Sequence, residues 1–327
     1  MNDQLDLIPK EPIFLKFFGK GSSFFGIVIL NFILTILSLG LYYPWAKAKI
    51  RQYVWNETEL KDSRFYFHGT GKEMFKGFLI SYLILIIFYF LYFYGISSIA
   101  ENPSFFFIIL FVFIGFLLFG FYPFALFHAW KYRVTRTSWR GIYFNFTGNF
   151  KEFYLLYLKY IVITIFTFGI GSSWLRVNVQ KYLFSRTKLG SVKLNFHGDG
   201  GDLFLINLGG MFLSYITIGL YIPFFIKNLF NFTVNNTTLS DGNIQRAIKS
   251  HLTGKKSFQT LIVNFLLLVV TLGLAFPFTQ IRSYQLLFNN IEMPTDIDYD
   301  NISQDAQNYR QATGDEMADL LDIDIDF

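Results

Sequence analysis

Phe17-Phe18-Gly19 opens the stretch on which the chain is organised. It runs through apolar Phe24 to Leu37 into Ser38-Leu39-Gly40-Leu41-Tyr42-Tyr43-Pro44-Trp45. A basic, aromatic segment follows (Lys47, Lys49, Arg51, Tyr53, Trp55), then Thr58 and Leu60, before Phe67-His68-Gly69 starts the pattern again. The opening triplet recurs as Phe146-Thr147-Gly148, Phe196-His197-Gly198 and Leu252-Thr253-Gly254, at spacings of 50, 79, 50 and 56 residues. Ser38-Leu39-Gly40 matches Thr167-Phe168-Gly169, Thr217-Ile218-Gly219 and Thr271-Leu272-Gly273, while the second copy keeps only Gly120. Pro44 matches Pro123, Pro223 and Pro277, and Trp45 matches Phe124, Trp174, Phe224 and Phe278. Several positions recurring at constant offsets define about five degenerate repeats, and the repeat governs the architecture.

Composition narrows the class. The chain has 327 residues, 53% hydrophobic and 16% charged, with 43 Phe largely in runs. That is too apolar for an ordinary soluble protein. Cysteine is absent, which removes disulfides, thiolate nucleophiles and Cys-ligated metals. The polar first residues, with Asp3, Asp6 and Lys10, do not read as a cleavable signal peptide.

The F-x-G opening, the [ST]-h-G-h-Y-x-P-W helix end and the basic-aromatic helix ending near Thr58 resemble the YjgN-like family of bacterial inner-membrane proteins. The resemblance covers roughly residues 14–290. It implies a multi-pass protein of the bacterial inner (cytoplasmic) membrane, built on a domain of unknown function. It implies no reaction and no catalytic residue. The chain departs from the pattern in its third copy, where Ser173 replaces the proline, and in its fifth, which lacks the closing Thr and F-x-G.

These observations predict an all-α polytopic membrane protein with about six transmembrane helices. The expected spans are Phe24–Tyr43, Phe78–Ser97, Ser104–Phe127, Phe153–Trp174, Leu203–Phe225 and Phe258–Phe278, each near the ~20 residues a membrane crossing requires. Residues 1–13 read as a flexible tail, 14–290 as the transmembrane domain and 291–327 as an acidic, disordered tail. That tail holds eleven acids against one base, Arg310. A short helix is expected at Glu316–Leu321, and the alternating Leu320–Phe327 end suits a sheet edge or a partner. Pro44 suits the first turn of a new helix. Ser63–His68, Gly141–Phe146 and Ser191–Phe196 alternate as short strand-like arms, paired as hairpins across Lys61-Asp62 and Lys188–Ser191. In the F-x-G triplets, Gly is expected at positive φ with Phe anchoring the arm.

Orientation is a point of strain. The positive-inside rule favours both termini outside, but leaves the basic 176–202 loop on the wrong side. A one-span repeat must alternate in direction, so successive basic motifs would face opposite sides of the membrane.

Candidate functional residues are few. Ser38, Thr167, Thr217 and Thr271 offer a polar path. Their simpler role is hydrogen bonding to a carbonyl in the last helical turn, beside glycines that admit a neighbouring helix. Lys47, Lys49, Arg51, Lys131, Arg133, Arg176 and Lys181 are candidate contacts for anionic lipid headgroups. His68 and His197 share a repeat position, but no metal-ligand spacing accompanies them. Lys159 lies in an apolar run, near enough to its end to snorkel. Gly198-Asp199-Gly200-Gly201-Asp202 lacks the lysine of a phosphate loop and reads as a turn, with Asp202 favourable at a helix start.

No Ser/His/Asp set, no H-E-x-x-H and no paired carboxylates placed near the membrane are present, so no enzyme and no cofactor are expected. Transport or handling of a small molecule or lipid is the first expectation. The absence of Asp and Glu from the expected spans speaks against carboxylate-coupled ion transport. The alternative is a non-catalytic scaffold that binds phospholipid through its basic helices and a protein through its acidic tail. Nucleic acid is not an expected partner, because the basic residues are interleaved with apolar segments. The sequence leaves oligomeric state open.

Overall fold

The structure is a computed structural model that describes residues 11–101, 105–242 and 244–302, without the side chains at 81, 84, 85, 96 and 98–119. The first ten residues, the helix expected around Glu316 and the alternating end of the chain lie outside the described residues.

Each repeat is a helical hairpin followed by a β-hairpin. The first helices are α1 (Gly21–Leu37), α3 (Gly71–Glu101), α5 (Phe150–Phe166), α7 (Gly200–Ile216) and α9 (Gly254–Val270). The second helices are α2 (Tyr43–Asn56), α4 (Phe105–Thr135), α6 (Ser172–Ser185), α8 (Ile222–Asn235) and α10 (Phe276–Phe288). Four of the expected spans are therefore broken by a reversal. Leu39, Phe168, Ile218 and Leu272 take φ of 50–51°, and the glycine after each takes φ of 87–94°. Two successive left-handed residues stop the helix, and Gly makes the second one tolerable. Pro44, Pro223 and Pro277 then open the second helix in its first turn, where the missing N–H costs nothing. Buried Asn31 reaches across one hairpin to the Ala46 carbonyl and Asn264 across another to that of Thr279, so the two arms are antiparallel.

This overturns the six-span, all-α expectation. α1, α5, α7 and α9 have 17 residues each, ~25 Å of helix against a hydrocarbon core of ~30 Å. Among the described residues, no helix is long and apolar enough to cross a membrane. The strand-like arms are also more than arms.

The strands are β1 (Ile13–Phe14), β2 (Lys16–Phe17), β3 (Thr58–Leu60), β4 (Ser63–Phe67), β5 (Thr137–Trp139) and β6 (Ile142–Phe146), with β7 (Thr187–Leu189), β8 (Val192–Phe196), β9 (Thr237–Asp241), β10 (Ile244–Ala247), β11 (Lys249–Ser250) and β12 (Ile291–Met293). They pair antiparallel in chain order from β2 to β10, while β12 pairs with both β11 and β1. Only Leu15 separates β1 from β2, and its N–H bonds the Ile291 carbonyl at 3.0 Å. Only Ile248 separates β10 from β11, and its N–H bonds the Thr237 carbonyl at 2.9 Å. The ladder therefore returns to its start as a closed barrel. Turns Lys61-Asp62 and Arg140-Gly141 have both central residues at positive φ, the geometry that matches strand twist in two-residue hairpins.

The fifth repeat is completed by the other end of the chain. Its first strand is β12, and its second is β1–β2 from the N-terminus. The missing F-x-G of the fifth copy is thus Phe17-Phe18-Gly19. The fifth triplet also lies two residues earlier than the sequence suggests. His68, Thr147, His197 and His251 each donate their backbone N–H to the carbonyl that ends the next repeat's second helix (Arg136, Arg186, Asn236 and Asn290), and Phe18 does the same to Glu57. The equivalent of Phe196-His197-Gly198 is therefore Ser250-His251-Leu252, and Leu252-Thr253-Gly254 is out of register. The motif glycines do not need positive φ. A Cβ on Gly19, Gly69, Gly148 or Gly198 would meet the motif's own Phe ring at 2.4–2.6 Å, so the ring folds over the space a side chain would fill.

A second contact runs round the ring. The aromatic after each repeat's proline position caps the first residue of the next repeat's first helix. Trp45 lies on Gly71, Trp174 on Gly200, Phe224 on Gly254 and Phe278 on Gly21, while Phe124 meets Phe150 edge-on at 5.6 Å. The Phe278–Gly21 contact joins last repeat to first.

The chain after β12 is not a free acidic tail up to residue 302. Ile297, Tyr299 and Ile302 are buried with barrel residues Leu60, Phe65, Trp139 and Leu239. An eight-stranded barrel is about filled by its own side chains. This one has ten staves once β1–β2 and β10–β11 are each counted as one, and the C-terminal segment fills the extra room. Asp300 bridges Arg140 at 2.6 Å and Lys61 at 2.7 Å, and Asp296 pairs with Arg246 at 2.7 Å.

Two outcomes follow from this packing. Gly71→Ala places a methyl against the Trp45 backbone and should destabilise the detergent-solubilised protein by about 1–3 kcal/mol, read as a fall in Tm. Gly26→Ala, with open space at its Cβ, should not. The Arg140 and Lys61 hydrogen bonds hold the Asp300 carboxyl below its ordinary pKa. Its contribution is therefore complete above the unfolded value of about 3.9 and lost as pH falls through the lower folded value. Hydrogen exchange at 297–302 should rise on acidification through that range. Asp300→Asn should show the faster exchange already at pH 7.

Candidate functional site

The five helical hairpins all leave the barrel in the same direction. Each repeat contributes two helices, so it returns to the side from which it started. The alternation expected of a one-span repeat does not arise, and the basic motifs share one orientation. The four described hairpin turns, at Leu39-Gly40, Phe168-Gly169, Ile218-Gly219 and Leu272-Gly273, lie at the end of the helices away from the barrel.

Those turns are apolar and open. Phe168 is 98% exposed, Ile218 and Leu272 are 93%, and Leu39 is 83%. Leu37, Phe166, Ile216 and Val270, which end the first helices, are exposed as well. A large apolar residue held at left-handed φ with its side chain exposed gains nothing from packing within this chain. Exposed apolar side chains also extend down the first helices, as at Phe32, Leu155, Leu205 and Phe265.

The turn hydroxyls work inside the turns. Thr217 donates to the Leu213 carbonyl at 2.7 Å and accepts from Tyr221 N–H at 3.0 Å. Thr167 and Thr271 do the same with Ile163 and Gly171, and with Leu267 and Ala275. Ser38 donates to Thr35 and accepts from Tyr42. The four candidate path residues thus occupy four separate turns, and each satisfies one N–H left free where the second helix begins.

Cations concentrate on the second helices. Lys47 lies over the Tyr43 ring and Lys49 over that of Tyr42. Lys49, Lys131, Arg133 and Arg176 are exposed, while Lys47, Arg51 and Lys181 are half-buried. The Tyr53 hydroxyl donates to the Lys20 carbonyl and accepts from Lys20 N–H. Tyr182 makes the same pair with Asn149. Tyr132 bonds the Thr70 carbonyl and the Glu73 carboxylate, and Arg136 closes that set on Glu73 at 3.3 Å. Glu152, Tyr182 and Arg186 repeat it in the third copy. This tyrosine clamp, fixing the second helix of the first three repeats to the cap of its partner, was not read from the sequence, although the recurrence of Tyr53, Tyr132 and Tyr182 nine residues after the proline position carries it.

The chain matches the model of a family described as bacterial protein of unknown function (DUF898) twice, over residues 12–226 and 205–320. It belongs to that family. The paired, overlapping matches agree with a repeat-built chain. It is 29% identical to inner membrane protein YjgN of Salmonella typhimurium over 175 residues, covering 48% of this chain and 40% of that one. It is 28% identical to the protein of the same name from Escherichia coli strain K12 over 156 residues, covering 48% and 36%. The chain thus spans about two-fifths of the length of these relatives. No solved structure matches. Membership and relatives support a membrane protein of the inner membrane.

The remaining candidates of this family member have local partners. His68 bonds Ser138 at 2.8 Å, and His197 bonds Thr238 and Gln245. Among the described residues no group of three His, Cys, Asp or Glu side chains could hold a metal. Lys159 is exposed, its ammonium 5.3 Å from the Tyr160 ring. Asp199 caps α7 through Gly201 N–H at 2.7 Å.

Thr217→Val should lower stability by about 1 kcal/mol, the usual cost of a lost cap, visible as a lower Tm in detergent. A variant with unchanged Tm but altered binding of a co-purifying molecule would instead give the hydroxyl a path role.

Proposed function

We propose that this is a non-enzymatic, membrane-embedded lipid-handling protein. Its hairpin tips dip into the bilayer from the face that carries the barrel. The observation that carries this reading is the shared direction of the hairpins, with exposed apolar turns at one end and cations on the second helices. An apolar surface of this kind takes acyl chains, and adjacent Lys and Arg attract anionic headgroups. A 17-residue helix suits entry and return rather than crossing.

An amphipathic groove of about 860 Å³ where the last repeat meets the first supports lipid as the substrate class. Phe25, Leu267, Leu274 and Phe278 line its apolar part, and Arg282 and Gln285 its polar part. An acyl chain with an anionic head matches that division. The scaffold reading has less support, because the described part of the acidic tail is engaged with the barrel through Asp296 and Asp300.

Native mass spectrometry of the protein released gently from its membrane tests the reading. A retained phospholipid is expected, with Leu267→Trp filling the groove and removing it. Only exchangeable bulk lipid in the wild type would overturn lipid handling. Phe168→Asp with Ile218→Asp should increase the fraction released by alkaline carbonate. Unchanged retention would overturn tip insertion.

A further inference from the structure

The groove between the last repeat and the first carries charge that the repeat itself does not require. Three contacts set one stripe of α10 against residues 19–21. Phe278 covers Gly21, Ile281 approaches Gly19, and Gln285 Nε2 donates to the Gly19 carbonyl at 3.3 Å. Arg282 belongs to that stripe and lines the groove together with Lys20. No Asp or Glu is among the lining residues, and neither cation pairs with a carboxylate among the described residues.

Arg282 is held in place through one nitrogen. Its Nε donates to Asn264 Oδ1 at 3.0 Å. Buried Asn264 is itself fixed, donating to the Thr279 carbonyl and the Ser283 hydroxyl, both at 3.2 Å. The two Nη groups make no hydrogen bond among the described residues, so the fork is oriented and its donors are left over. The hairpin does not need this arginine. In the first repeat the equivalent Asn31 makes the same bond to a carbonyl, its Oδ1 has no partner among the described residues, and Lys49 stands at the position of Arg282.

Lys20 sits where its helix favours the opposite charge. It is the N-cap residue of α1, makes no capping bond, and has no acid in the turn that follows. The first helices of the other repeats are capped. Thr70 and Glu73 cap α3 reciprocally, Asn149 caps α5, Asp199 caps α7 and Thr253 caps α9. A cation at the positive end of a helix dipole lowers stability, so the fold does not account for Lys20.

We propose that this part of the groove binds the phosphodiester of an anionic glycerophospholipid, with Arg282 and Lys20 as its headgroup contacts. The Nη fork matches two phosphate oxygens, and the ammonium adds a point charge. Lys20, Arg282 and Gln285 lie nearer the barrel, and Leu267 and Leu274 nearer the hairpin turn. The head therefore sits by the barrel and the acyl chains run toward the tips. Two cations without an acid disfavour the quaternary ammonium of a choline head. The inference rests on the lipid-handling reading and adds the headgroup class to it.

The test uses the full chain in detergent, with dioctanoyl phosphatidylglycerol, dioctanoyl phosphatidylcholine and inorganic phosphate as separate probes. Binding is read by native mass spectrometry and by the rise in Tm that a ligand of the folded state produces. The wild type should bind one phosphatidylglycerol about tenfold more tightly than phosphatidylcholine, the scale of one charge-assisted hydrogen bond. That preference should shrink in Arg282→Gln and in Lys20→Asn and vanish in the double variant. Lys193→Gln, which removes an exposed cation of β8 outside the groove, should keep it. Lipid-free Lys20→Asn should melt above the wild type, because Asn is a good N-cap and the misplaced charge is gone. A lower Tm would make Lys20 a structural residue and overturn its part. A preference that survives in the double variant, or phosphate bound as tightly as phosphatidylglycerol, would overturn the headgroup site. Leu267→Trp separates the two readings. If it removes both lipids while the double variant keeps the preference, lipid handling stands and the headgroup site falls. If it removes neither lipid, the groove is not the lipid site and both fall.

Discussion

The backbone ladder between β12 and β1 is the constraint on which the rest depends. Two register pairs and the Leu15–Ile291 hydrogen bond join residues some 275 positions apart in sequence. Without them the sheet would end in two open edges, each a row of unpaired amides prone to pairing with another chain. Closure removes both edges. It also brings Phe278 against Gly21, so the helical ring closes through the same step. A structure built of repeats that touch only their neighbours has no other means of fixing its ends.

Closure then dictates the interior. Ten staves leave a bore wider than their own side chains fill. Trp139, fully buried and bonded through Nε1 to the carbonyls of Leu60 and Ser63, takes part of it. Ile297, Tyr299 and Ile302 take more. The C-terminal segment is thus a structural part of the barrel, fastened at its mouth by exposed ion pairs that are individually weak. The Tyr299 hydroxyl, buried and without a hydrogen-bond partner among the described residues, is the polar cost of using an aromatic there.

The same geometry reconciles charge and hydropathy. As six crossings, the basic loops could not all lie on one side. As five returning hairpins they do, and the apolar turns collect at the other end. The amphiphilic character of the chain is therefore axial, with an apolar end and two or more cations on the second helices α2, α4 and α6. That arrangement suits a bilayer approached from one face.

Much of this was legible in residues. The repeat, the proline at the start of each second helix and the β-hairpins at Lys61-Asp62 are written in local patterns, because turn chemistry and helix starts depend on neighbours in sequence. The placement of Lys47, Lys49, Arg51, Lys131, Arg133, Arg176 and Lys181 on the second helices could be read for the same reason. Apolar composition misled on one point. A run such as Leu203–Phe225 has the length of a span, and hydropathy does not register the reversal at Ile218-Gly219, which depends on two dihedral angles. Local pattern also could not show that Phe17-Phe18-Gly19 completes the fifth repeat, that Phe278 packs on Gly21, or that Ile297 fills a barrel. Those are contacts between residues far apart in the chain. The sequence by itself determined the repeat unit and its local turns, because these are set by short-range sterics and hydrogen bonds. Only the tertiary structure decided the ring, its closure and the filling of its bore, because these depend on how many units must pack before the first can meet the last.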